Sequence, residues 1–321
     1  MKPVIVSSTD QGAPAIRGED GSLYTLLKWA LPQLGWTVEH DDAATYRAAF
    51  RGNPARGTGY LLRIRDRAAD HSSDSRYAAM DAFSGGMVDI DTGDDHFPSV
   101  DRYWLKSHAA DDATPHPWMI IGDDRFFWYL PDIKGQGVRG FWAGDYIPFG
   151  LNDTANFCLG TTNPNTVGPG SSAALRQVAP QSGSGSEIYQ CAALSVDGQR
   201  TGITQHLVAL LGGLGGQAML GTSGLFPDPI TGSVNTSRIE LHDPDVDTRR
   251  GLLPGILHPM ANLRRGAQSM WNHGDVVSGI SNGRMLTDML YVQINRGLDF
   301  DHYGWRGAAF FDITHEWSWD W

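Results

Sequence analysis

The chain has 321 residues, a formal net charge of −11 and 41% hydrophobic residues. That length supports one large domain or two ordinary ones with a sizeable core, and the apolar fraction excludes wholesale disorder. Cations occur only in short pairs such as Arg249-Arg250 and Arg264-Arg265, which excludes the clustered cationic face that a phosphate backbone demands, so no nucleic-acid partner is expected.

No stretch reaches the roughly 18 apolar residues of a membrane span, so no membrane partner is expected. Near the start, Val4-Ile5-Val6 is shorter than the roughly 7 to 15 apolar residues of a secretory signal core. Assembly in a cytoplasm is the expectation. Two cysteines, Cys158 and Cys191, are too sparse for a disulfide framework, and both read as reduced.

In chain order, the extended segment VIVSS leads into a Gly/Pro turn. DGSLYTLLKWALPQLGW then places Leu23, Leu26, Leu27, Ala30, Leu31 and Leu34 on one stripe at the helical period. Asp20 or Ser22 is expected to cap this helix, Pro32 to kink or end it, and Gly35 to stop it. Tyr60, Leu62 and Ile64 alternate with Leu61, Arg63 and Arg65, the pattern of a half-buried strand with 76–83 as partner. WMII and RFFWYL flank Gly122-Asp123-Asp124, which reads as a hairpin whose acids serve the turn.

Residues 160–187, rich in Gly, Ser, Pro and Asn, read as a long loop. EIYQCAALSV, ITQHLVALLGG, SRIELHD, DMLYVQINR and AAFFDITHEW follow, each of strand length. The 39 glycines and 17 prolines, with little helical periodicity, favour short strands and many turns. The expected fold is mainly β, with short antiparallel strands in sandwich- or barrel-like sheets and one N-terminal amphipathic α-helix. Pro131 and Gly135 suggest units 1–131 and 138–321, with one continuous domain as the alternative.

Motifs with chemical content fall short of their templates. Gly213, Gly215, Ala218 and Glu240 have the spacing of a dinucleotide fingerprint, but the residues after Ala218 break any helix, and a pyrophosphate needs a helix N-terminus. DIDTGDDH at 89–96 resembles a calcium loop, yet Gly93 stands where an oxygen ligand is wanted. Asp243, Asp245 and Asp247, beside His242, read as a solvated acidic loop with a structural ion as the alternative. The histidines form no HExxH, and those before Pro117 and Pro259 read as turn entries. No catalytic residue, cofactor site or metal site is assigned. Trp317, Trp319 and Trp321 alternate, so on a strand they share one face. That face is either core or a candidate subunit interface.

Ordered motifs then carry a resemblance. Gly12-Ala13-Pro14, Gly18, Gly21-Ser22 and Gly35-Trp36 open the chain. MVDIDTGDDHFPS and DRYWLKSHAADDATPHPWMIIGDDRFFWYL occupy the middle. RRGLLPGILHPMANL, HGDVVSGI and AAFFDITHEW close it. This series, running from about residue 7 to 317, resembles a family of tailed-bacteriophage virion structural proteins. Residues 160–215 and Ser269-Met270-Trp271 have no counterpart in the pattern.

The resemblance implies a non-enzymatic particle subunit of tail, collar or baseplate, with itself and other virion proteins as partners. The virion is then its location. The alternative is a tail-appendage module that binds or hydrolyses host-surface glycans. Asp94-Asp95 or Asp111-Asp112 would then lie beside Trp104 or Trp118.

Overall fold

The computed structural model describes residues 1–71, 74–133, 137–138, 140–160, 190–194, 204–209, 234–242, 249–259, 274–281, 284–294 and 307–318. The expected loop beyond Gly160, the Gly213 motif and the Asp243-Asp245-Asp247 loop lie outside these residues, as do Trp319 and Trp321.

The chain opens with β1 (Val4–Ser7) and α1 (Ser22–Ala30), which continues as a 3-10 turn over Leu31–Leu34. Then come β2 (Thr37–Asp42), β3 (Arg47–Arg51), β4 (Leu61–Arg65), β5 (Tyr77–Phe83) and β6 (Phe97–Leu105). These five form one antiparallel meander in chain order. A second sheet of 14 strands starts with β1 paired to β7 (Trp118–Gly122) and runs through β8 (Phe126–Ile133), with β9 (Gly137–Val138) at its side, to β10 (Phe141–Asp145). β11 (Ile147–Pro148) lies at its far end, and β12 (Phe157–Gly160), β13 (Gln190–Ala193) and β14 (Thr204–Ala209) continue the run.

The sheet ends in β15 (Val234–His242), β16 (Arg249–Pro259), β17 (Val276–Ser281), β18 (Arg284–Ile294) and β19 (Gly307–Asp312). Their pairings run β15–β17–β18–β19–β16 and return to β15, so these five strands close into a ring. Among the described strand pairs, only β15–β17 is parallel. One edge of β15 serves two neighbours, with Val234–Thr236 on β17 and Ile239–His242 on β14. A single strand thus belongs to both the ring and the long sheet. Closure removes strand edges that would otherwise template aggregation.

The mainly β expectation holds, as does the helix. Leu23, Leu26, Leu27, Ala30, Leu31 and Leu34 are all fully buried. The expected cap is corrected. Ser22 Oγ donates to the Arg17 carbonyl at 2.7 Å, and Asp20 Oδ1 accepts from Ala68 N at 2.9 Å. The first-turn N–H groups of Leu23 and Tyr24 instead donate to Asp66 Oδ2, at 2.7 and 2.9 Å. A carboxylate at a helix N-terminus satisfies orphan donors and opposes the dipole. Here it comes from beyond β4, where local spacing gives no hint of it. The stop is as expected: Gly35 adopts φ 96° and its N–H bonds to Pro32 O at 3.1 Å.

β4 departs from the half-buried pattern, because Leu61 is buried as fully as Leu62 and Ile64. The connection 84–96 supplies the cover: Met87 and Ile90 pack on Ala49, Leu61 and Phe83. Arg63 on the same face donates to both oxygens of Asp81, at 2.8 and 2.7 Å, and to Asp91 at 2.9 Å. Burial raises the Asp81 carboxyl, but hydrogen bonds from Arg63 and His96 overcome it and hold the group at about 2. Asp91 also pairs with Arg47 at 2.8 Å.

The suggested division at 131–137 falls between β8 and β10, which pair directly from Phe126 to Tyr129. Strand hydrogen bonding therefore runs continuously from the first expected unit into the second. One apolar cluster likewise contains Leu26, Trp104, Trp128, Phe311 and Trp317.

Candidate functional site

Two polar constellations stand out among the described residues. The first is built on the β7–β8 hairpin. Gly122 ends β7, and Asp123 makes the turn, its Oδ1 accepting the N–H groups of Arg125 and Phe126 at 2.9 and 3.0 Å. This is the turn chemistry that aspartate favours. Unlike most turn acids, Asp123 and Asp124 are 1% and 2% exposed. Trp36 donates its indole N–H to Asp123 O at 2.9 Å. Asp124 accepts from Asn53 Nδ2 at 2.8 Å and Arg56 Nη1 at 2.7 Å.

Arg56 also pairs with Glu316, and Arg125 donates to the Trp317 carbonyl at 2.7 Å. Asp145, at the end of β10, accepts the backbone N–H and the hydroxyl of Thr58, both at 2.6 Å. Burial pushes the Asp145 carboxyl up to about 6, against the pull of the Thr58 donors and Arg125. The hairpin acids thus hold Asn53 and Arg56, Arg56 and Arg125 reach the C-terminal segment, and Asp145 ties β10 to Thr58. Their oxygens face donors within the protein, which is folding work.

The second constellation lies in the β6–β7 connection. Asp111 takes φ 52°, a left-handed conformation that aspartate tolerates, and the chain reverses there. That reversal brings His108, Asp112 and His116 together, with one donor atom from each all within 4.8 Å of one another. His108 Nδ1 lies 3.1 Å and His116 Nε2 3.5 Å from Asp112 Oδ2. Ser107 Oγ sits 3.2 Å from His116 Nε2. The Thr114 backbone N–H and hydroxyl lead the donors that hold Asp112 at about 2. Burial pushes His116 below the usual imidazole range, with Asp112 pulling the other way. The sequence signal was the four-residue spacing His108, Asp112, His116, which passes unnoticed because equal spacing suggests a helix, and this segment is a loop.

Other candidates are displaced. Trp317 is fully buried, so of the two expected roles, core or subunit interface, it fills the core. Its ring stands over Gly255, where a Cβ would approach Cζ2 to 2.1 Å, and its indole N–H donates to Asp312 O at 3.0 Å. Trp104 and Trp118 are also buried, so they offer no stacking face for a sugar beside Asp94-Asp95 or Asp111-Asp112. Asp94 pairs its backbone with Gly85, and Asp95 accepts from Ser84 Oγ at 2.8 Å. Glu240, the would-be ribose ligand, accepts from Arg249 Nε at 2.9 Å. The β12–β13 register sets Cys158 opposite Ala193 and Cys191 opposite Gly160.

Among the described residues, no helix is long and apolar enough to cross a membrane. No protein-family model matches the chain, and no curated protein matches it.

Proposed function

We propose that the chain is a non-enzymatic structural subunit of a bacteriophage particle, associated with tail, collar or baseplate, that assembles through contacts repeated between copies. One observation carries the reading: the residues behind the resemblance do architectural work. In the Y-W-x-K-S stretch, Trp104 is buried and donates to Gly160 O at 2.8 Å, while Lys106 pairs with the helix-capping Asp66. In D-x-D-T-G, Asp91 anchors Arg47 and Arg63. In G-D-D-R, the acids and Arg125 tie the hairpin to the C-terminal segment. Near the end, Asp312 Oδ1 accepts the N–H groups of Thr314 and His315, at 2.9 and 3.2 Å. Shared residues that specify a shape rather than a reaction suit a protein selected to assemble.

Strand edges support the same reading. β1 and β2 each end a sheet, and each carries a partly exposed apolar residue, Ile5 at 38% and Val38 at 37%. Unpaired edges are routes to strand addition between subunits, and heterologous contacts of this kind close into rings. Light scattering after gel filtration tests this. A defined oligomer that Ile5→Lys or Val38→Lys disperses is the expected result. A monomer at every concentration, with no uptake into particles assembled beside other virion proteins, would refute it.

A further inference from the structure

We propose that His108, Asp112 and His116 form a binding site for one zinc-class divalent cation. The ion would pin the β6–β7 connection to itself, beside the segment that precedes α1. Two imidazole nitrogens and one carboxylate oxygen are a donor set for borderline metals. Calcium and magnesium demand more oxygen ligands than this loop supplies.

The distances fit a small closure. Donors around a tetrahedral zinc at about 2.1 Å stand roughly 3.4 Å apart. Asp112 Oδ2 is already 3.1 and 3.5 Å from the two imidazole nitrogens. The remaining separation lies within 4.8 Å, so a rotation of the half-exposed His108 ring completes the set. A water would take the fourth position of a tetrahedral ion.

A second observation points the same way. His108 Nδ1 is sealed from solvent yet has no hydrogen-bond partner among the described residues, despite its 3.1 Å approach to Asp112. The ring nitrogen and the carboxylate thus stand close together without a hydrogen bond between them. A cation between them would give the nitrogen its missing partner.

The loop is also held in advance. Gly18 N donates to Asp112 O at 2.8 Å, and Asp111 N donates to Gly18 O at 3.2 Å. A Cβ on Gly18 would meet Ala109 O at 2.4 Å, so only glycine permits this approach. His116 N donates to Ile16 O at 3.0 Å, and Ser75 Oγ bonds Asp111 at 2.9 Å. Asp112 Oδ1 accepts from Thr114 N at 3.0 Å, which leaves Oδ2 turned toward the histidines. Such supporting bonds orient a ligand before the metal arrives.

The test uses tag-free, chelator-stripped full chain and zinc chloride, followed by native mass spectrometry, calorimetry and thermal melting. The expected result is one zinc per chain and a raised melting temperature, with no comparable effect of magnesium or calcium. His108→Gln, at a half-exposed position that leaves the core intact, should weaken zinc more than tenfold. His116→Gln should do the same, and His108→Gln alone decides if that buried variant fails to fold. Absence of a one-to-one zinc complex would overturn the proposal. So would equal affinity in His108→Gln, which would assign any bound zinc to other histidines.

Discussion

Replacing Lys106 by Met probes how the helix is tied to the sheet. Lys106 and Asp66 are both completely buried and paired. Lys106 also donates to the Glu19 carbonyl at 2.7 Å, while Asp66 holds the N–H groups of Leu23 and Tyr24. Met has a similar length and no charge. It leaves a carboxylate in the core facing only two backbone donors. Breaking a buried pair from one side costs about 3–5 kcal/mol, against a typical total stability of about 5–15 kcal/mol.

The double variant Asp66→Asn, Lys106→Met removes the charge altogether and keeps an amide oxygen on the helix N-terminus. It should cost only about 1–2 kcal/mol, the scale of a weakened cap. The single variant is therefore expected to be less stable than the double. pH separates the explanations further. Burial already raises Asp66 above the ordinary carboxyl range, with Lys106 opposing. A raised native pKa gives stability that is present at low pH and lost as pH rises through it. Without Lys106 the native state takes up that proton more readily, so Lys106→Met should regain stability from pH 7 to pH 5. Urea unfolding with m-values monitored is the assay. A single-variant loss below about 1 kcal/mol, or a double variant less stable than the single, would refute the reasoning.

Further expectations concern the hairpin hub and the C-terminal anchor. With Asp145 raised to about 6, the native protein loses stability as pH rises from about 4 through about 6. Asp145→Asn keeps an acceptor for Thr58 N and removes that dependence, so its melting temperature relative to wild type should climb between pH 4.5 and 7.5; a constant difference would discard the idea. Trp317→Ala empties a fully enclosed site and should cost about 3–5 kcal/mol, read by chemical denaturation, whereas a surface tryptophan would cost under 1 kcal/mol. Gly35→Ala places a Cβ 3.0 Å from Asp124 Cβ at a positive φ, so a loss of about 1–2 kcal/mol is expected, and a neutral result would mean the cap relaxes.

What could be read from sequence followed periodicity. The leucine stripe of α1, the β4–β5 pair and the β7–β8 hairpin are local, each joining elements that follow one another in the chain. The capping of α1 by Asp66 was hidden because 42 and 43 residues separate the atoms that meet. The second cover on β4 was hidden for a similar reason, since an acidic connection gave little sign that Met87 and Ile90 would fold back on the sheet. Ring closure through β15 depends on a parallel pairing between distant strands, which alternation cannot reveal. Asp123 and Asp124 were legible as turn residues but not as buried ones, because their partners Asn53, Arg56 and Trp36 come from another part of the chain. His108, Asp112 and His116 needed the left-handed turn at Asp111 before their spacing meant anything.

The most direct measurement of the proposed structural role is the copy number of this chain in phage particles purified from cells that express it, by quantitative mass spectrometry with labelled peptide standards. A structural subunit predicts a fixed stoichiometry, a small multiple set by tail or collar symmetry, unchanged after stringent repurification. Absence from the particles, or a trace amount that falls with each purification step, would contradict the account.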